Sequence, residues 1–136
     1  MGILAGIVSG IFLGLFLKVI EVGLGIKVYT LLMNVDYIPV IKEFALPEVI
    51  EFSLHLIVSI VLAMILFYMI KKGRWTNQQI IFRTVAICFL IGVLLYPTTA
   101  LSDRTPSITS LSAIFYWLVG HALYGGVLSL FYLKKV

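Results

Sequence analysis

Four apolar runs, each long enough to cross a bilayer, take up most of this chain and leave short polar breaks between them. They extend approximately over Ile3–Gly25, Val49–Ile70, Ile80–Pro97 and Leu111–Leu133. A spanning helix needs about 20 such residues. Of the 136 residues 62% are hydrophobic and 12% charged, more apolar surface than a soluble domain of this size could bury. The predicted fold is all-α: a polytopic membrane protein with four transmembrane helices in a compact bundle. One four-helix domain over residues 1–136 fills the chain and leaves no room for a soluble one.

The first run lacks a basic start, carries Lys18 and Glu21 near its far end, and shows no small-residue cleavage site. It reads as a retained helix rather than a secretory signal. Cys88 is the only cysteine, so it forms no intrachain disulfide and reads as a packed thiol in the third run. The net charge of +4 is segregated. Lys71, Lys72 and Arg74 lie between the second and third runs, with Arg83 just beyond, and Lys134 and Lys135 close the chain. Glu21, Asp36, Glu43, Glu48, Glu51 and Asp103 lie toward the opposite side. The positive-inside rule then puts both termini and the middle loop in the cytoplasm of a cell bounded by this inner membrane. The basic clusters serve topology and contact with anionic lipid, so no nucleic-acid partner is expected.

Helix one carries Gly2, Gly6, Gly10 and Gly14 at steps of four, a spacing that lets another helix approach closely. Glu21 projects onto nearly the same face, near the external end. The partner of that face stays open between helix two, helix four, a second copy and another membrane protein. Residues 26–47 mix aromatic and aliphatic side chains with Asn34, Asp36, Lys42 and two prolines. That mixture predicts a short interfacial helix or partly re-entrant segment, with an amphipathic linker as the alternative. Thr76 and Asn77 are capping residues for helix three. Arg83 lies away from Gly92 and snorkels to headgroups. Helix four presents Ser110, Trp117, His121 and Tyr124 on one face, with Trp117 serving packing.

Helix two opens with Glu48, Glu51, His55 and Ser59, which steps of three and four return to one arc. A charge near the bilayer centre costs roughly 2.5–3.5 kcal/mol on insertion scales, so such side chains face a protein interior or a cavity. The candidate ion- or proton-binding residues are Glu21, Glu51, His55 and His121, with Glu48, Tyr96 and Tyr124 secondary. Glu48 also suits the start of a helix, where the dipole favours an acid. Lys18 can snorkel or pair with Glu21 three residues on. Three uses of the stripe stay open: a metal site of imidazole and carboxylate, a proton-responsive site, and interhelical hydrogen bonding. No nucleophile elbow, phosphate loop or His-Glu-x-x-His motif is present, so neither catalysis nor a cofactor is expected.

The segments AGIVSG with Lys18 and Glu21 after it, LHLIVSIVLA around His55, YPTTALSDRTPS, and WLVGHALYGG around His121 resemble the YagU-like family of small bacterial inner-membrane proteins. The ending is similar to that of the YqhR-like proteins. The resemblance implies an envelope role linked to acid tolerance, marks His55 and His121, and matches Glu21 to an acid near the end of helix one. The lysine-to-acid spacing and the long apolar connection 26–47 depart from the family pattern. The expected function is binding, sensing or transport of a proton or small ion at an external-side His/Glu site. Two alternatives are an accessory protein that packs through the glycine face of helix one and a small multidrug-type exporter. The lipid bilayer is the expected partner, with a homo-oligomer or a second membrane protein beside it.

Overall fold

A computed structural model describes residues 2–33, 47–101 and 106–133. Five α-helices follow in order: α1 (Gly2–Leu24), α2 (Val28–Met33), α3 (Glu48–Gly73), α4 (Asn77–Leu95) and α5 (Leu111–Leu130). Four of them, α1, α3, α4 and α5, are long and apolar enough to cross a membrane, with mean hydropathies of 2.4, 2.4, 2.0 and 1.4. The chain is a polytopic membrane protein. Its outer faces carry side chains such as Val22, Phe82 and Leu111, each more than three-quarters exposed within the bundle. Those are lipid-facing positions, since water would not tolerate so large an apolar surface. The short helix expected between the first two spans is present as α2; Asn34, Asp36, Lys42, Pro39 and the acids Glu43 and Asp103 lie outside the described residues.

Local sequence explains the helix ends. Pro47 precedes α3 in an extended conformation, Glu48 and Glu51 occupy its first turn, and Lys71 and Lys72 its last. Acids at the N-terminus and bases at the C-terminus both oppose the helix dipole. α3 stops at Arg74, which adopts a left-handed conformation (φ 50°) and returns its N–H to the carbonyls of Ile70 and Lys71. Thr76 then caps α4 in a reciprocal pair with Gln79, so only three residues separate the two helices. α4 ends just before Pro97, and a 3₁₀ turn follows over Tyr96–Leu101. Ser110 caps α5 by accepting from the Ala113 N–H. Gly25, at φ 73°, closes α1 with its N–H on the Glu21 carbonyl.

The helices pack in the spatial order α3–α1–α5–α4. The central pair, α1 and α5, bury 39% of their apolar windows, against 22% for α3 and α4. α3 and α4 are sequence neighbours but do not pack closely along their lengths. Tyr132 bridges the basic end by donating to the Ala63 carbonyl of α3, and its ring lies 5.6 Å from that of Phe67. Above that bridge a groove is left between α3 and α4.

The glycine face of α1 is occupied by α3 of the same chain. A methyl group on Gly6 would stand 2.6 Å from the Ile60 Cα, and one on Gly10 2.9 Å from the Leu56 Cδ2. Gly2 faces Met64 and Gly14 faces Phe52 in the same way. The surface that an accessory protein would need is therefore already covered. Because the Gly6 clash is with backbone, side-chain rotation cannot relieve it. Gly6→Ala should lower stability by about 1–3 kcal/mol, read by unfolding of the purified protein in bicelles. Gly23→Ala, at a position with nothing within 4 Å, should leave stability unchanged or raise it. Equal effects at the two positions would show that α1 does not meet α3 through this face.

Candidate functional site

The stripe on α3 faces α1, and its members meet different partners along the way. At the acidic end, Glu48 accepts a 2.7 Å hydrogen bond from the Tyr29 hydroxyl and a 3.1 Å contact from the Lys18 ammonium. Lys18 therefore pairs with Glu48 across helices instead of with Glu21 on its own helix. Glu21 is drawn to α2, where its carboxylate accepts from the Thr30 N–H at 3.0 Å and from the Thr30 hydroxyl at 2.9 Å. The missing intrahelical partner of an early α2 donor is thus supplied by a side chain. Burial raises the Tyr29 phenol far above its ordinary range, and the bond to Glu48 adds to that shift. The phenol stays a donor at any physiological pH. Glu51 is buried, and with Glu21, Glu48 and Lys18 it borders a cavity of about 280 Å³.

Deeper in the bundle the arrangement changes from carboxylates to imidazoles and hydroxyls. His55 Nε2 lies 3.0 Å from the Gly10 carbonyl of α1. A carbonyl only accepts, so Nε2 carries the proton and Nδ1 keeps the lone pair. One turn on, Ser59 donates to the Gly6 carbonyl at 2.7 Å, and its oxygen also lies 2.7 Å from the Tyr124 hydroxyl of α5. Serine has one proton to give, so Tyr124 is the donor in that second bond. On α5, His121 Nδ1 meets the Trp117 carbonyl at 2.8 Å, which fixes its proton on Nδ1 and its lone pair on Nε2. Neither lone-pair nitrogen has a hydrogen-bond partner among the described residues.

Two features hold His121 in place. Its ring packs against Trp117 at a 48° tilt with centroids 4.4 Å apart, and the Trp117 indole N–H donates to the Gly92 carbonyl at 2.9 Å. Gly92 itself leaves room for the imidazole, since a methyl group there would stand 2.8 Å from the His121 Cγ. His121 is only 5% exposed. His55, Ser59, His121 and Tyr124 together border the groove between α3 and α4, a cavity of about 70 Å³. Its walls are apolar, with Val58 on α3 and Ile91 and Leu95 on α4, and Leu32 of α2 lies toward the acidic end.

The four candidates thus divide between two places. Glu21 and Glu51 border the acidic-end cavity, and His55 and His121 border the mid-bundle groove. Among the described residues no three His, Cys, Asp or Glu side chains converge as metal ligands. Thr30 holds the Glu21 carboxylate at the acidic end, apart from both histidines. Tyr96 stands apart from both sites and donates to the Ser107 carbonyl at 3.0 Å. Arg83 is exposed, its guanidinium 5.0 Å from the Trp75 ring centroid. Gly92, Leu32 and the positioning role of Trp117 escaped the sequence reading. A glycine one helix turn from the centre of a span, with a Trp–x₃–His pair on another, is too sparse a pattern to pair them.

Comparison with family models, curated proteins and solved structures finds no match. The likeness to YagU-like proteins rests on the quoted segments alone. The hydrogen bond between Ser59 and Tyr124 ties α3 to α5, and model peptides and double-mutant cycles in membranes together put such contacts at about 0.6–2 kcal/mol. A cycle of Ser59→Ala and Tyr124→Phe should return a coupling energy in that range in bicelle unfolding. Strict additivity of the two substitutions would show that the hydroxyls do not meet.

Proposed function

We propose that this protein is a bacterial inner-membrane protein, with both termini cytoplasmic and its acidic end outward, that responds to protons through His55 and His121. One observation carries the reading. Each imidazole gives its single proton to a backbone carbonyl and leaves a lone-pair nitrogen without a partner among the described residues. An imidazole in that state accepts a proton and becomes a donor on both nitrogens. The new N–H then needs an acceptor that the resting packing does not provide, and an unsatisfied donor in a low-dielectric interior is costly. Protonation is thereby coupled to rearrangement or to entry of water. The carboxylates of Glu21, Glu48 and Glu51 at the outward end supply negative potential that concentrates protons at that mouth.

Sensing is favoured over metal binding because the ligands do not converge. The multidrug-exporter reading is weaker too, because the helix-one acid Glu21 is tied to α2. The N-in orientation follows from charge alone and accords with Lys71 and Lys72 at one end of α3 and Glu48 and Glu51 at the other.

Trp117, packed against His121, serves as an internal reporter, because an imidazolium quenches an adjacent indole. In the Trp75→Phe protein, which keeps Trp117 as its one tryptophan, emission should fall as pH is lowered from about 8 to about 3, a range that covers ordinary histidine titration and extends below it. His121→Phe should abolish the change, and His55→Ala should alter its midpoint. Emission that stays flat over this range, or a change that survives loss of both histidines, would contradict the proposal. Liposomes carrying the protein and an entrapped pH dye then separate sensing from net proton transport.

A further inference from the structure

The groove between α3 and α4 has a donor–acceptor character that follows from the bonds already described. His55 spends its proton on Gly10, Ser59 on Gly6, Tyr124 on Ser59 and His121 on Trp117. Among the described residues these four commit their protons inward, and the one other polar proton at the groove is the weakly donating thiol of Cys88. What remains available is chiefly acceptors: a lone pair on each imidazole and on the Tyr124 oxygen. The open nitrogen of His121 belongs to a residue only 5% exposed.

The surroundings narrow the class of molecule further. Among the described residues no lysine, arginine, aspartate or glutamate borders the groove. A phosphate or carboxylate head would therefore be buried without a counter-charge, and an ammonium likewise, at a cost of several kcal/mol per ion. The volume of about 70 Å³ accommodates a few water-sized groups at about 10–15 Å³ each, which suits a hydroxyl and is too small for a sugar. Val58 and Leu95 at the rim are 64% and 37% exposed, so the groove opens sideways, toward lipid.

We propose that this lateral groove binds a membrane-borne long-chain alcohol, its hydroxyl donating to the open nitrogen of His121 or His55 and its chain lying between α3 and α4. The site is the one read above as proton-responsive, and the inference rests on the neutral tautomers of that reading. An alcohol in hydrocarbon lacks an acceptor for its proton, and the groove offers one where lipid offers none. Protonation of either histidine converts an acceptor into a donor, so the occupant and the proton compete for one lone pair.

The test uses the full chain in nanodiscs at pH 8 with a photoactivatable C15 alcohol and its methyl ether, identical except for the O–H. The alcohol should label peptides of α3 and α4 around Val58 and Leu95 at least tenfold more than the ether does. Excess unlabelled alcohol should suppress that labelling, and excess ether should not. Because the change is made in the ligand, misfolding cannot produce the difference. His121→Phe, which keeps an aromatic ring against Trp117, should lower alcohol labelling, and His121→Phe with His55→Phe should bring it down to the ether level. Equal labelling by the two probes, or labelling spread over the lipid-facing surfaces of all four spans, would overturn the proposal. Loss of alcohol selectivity with the acid quench of Trp117 intact removes the ligand alone. Loss of the quench with selectivity intact removes the proton reading alone.

Discussion

The close approach of α1 to α3 at Gly6 and Gly10 is the constraint on which the rest of the bundle depends. In lipid, helices gain little from hiding apolar surface, so packing and interhelical hydrogen bonds decide which faces meet. Removing the side chains from one face of α1 brings its backbone within reach of α3. The carbonyls of Gly6 and Gly10 are then close enough to accept from Ser59 and His55. A larger residue at Gly6 would meet the Ile60 backbone and separate both donors from their acceptors. Glycine spacing and the polar stripe are thus two halves of one interface.

That interface has a consequence at the other edge of the bundle. With α3 held on α1 and α4 held on α5, two long helices joined by a three-residue turn stand apart, and the groove is the space between them. The protons of His55, Ser59, His121 and Tyr124 point into protein backbone or into one another. The result is a membrane-depth site built chiefly from acceptors, with Leu32 of α2 toward its acidic end. The acidic cavity is a separate place with separate chemistry, organised by Tyr29 and Thr30 of α2.

Much of the fold was legible in the sequence because each of its signals is local. Apolar run length set the four spans, and Thr76 and Pro97 marked the two ends of α4. The face carrying Glu51, His55 and Ser59 was readable from helical periodicity, and so was the face with Trp117, His121 and Tyr124. Pairing of faces was not readable. Glycine spacing announces a close contact and leaves its partner open, and α3 was one of several choices. The partners of the carboxylates were not readable for a related reason. Glu21 sits on the right face, but α2 lies in the apolar connection whose course periodicity does not determine, and Thr30 takes the carboxylate. Gly92 carries no signal until His121 is seen lying against it.

Proton placement on the two imidazoles is the claim from which both the proton response and the acceptor character of the groove follow, and nitrogen NMR reads it directly. In bilayer samples labelled with ¹⁵N-histidine near pH 8, the account predicts two neutral rings of opposite tautomer, His55 protonated at Nε2 and His121 at Nδ1. Substituting each histidine in turn assigns the signals. Two rings of the same tautomer, or either ring doubly protonated at that pH, would contradict it.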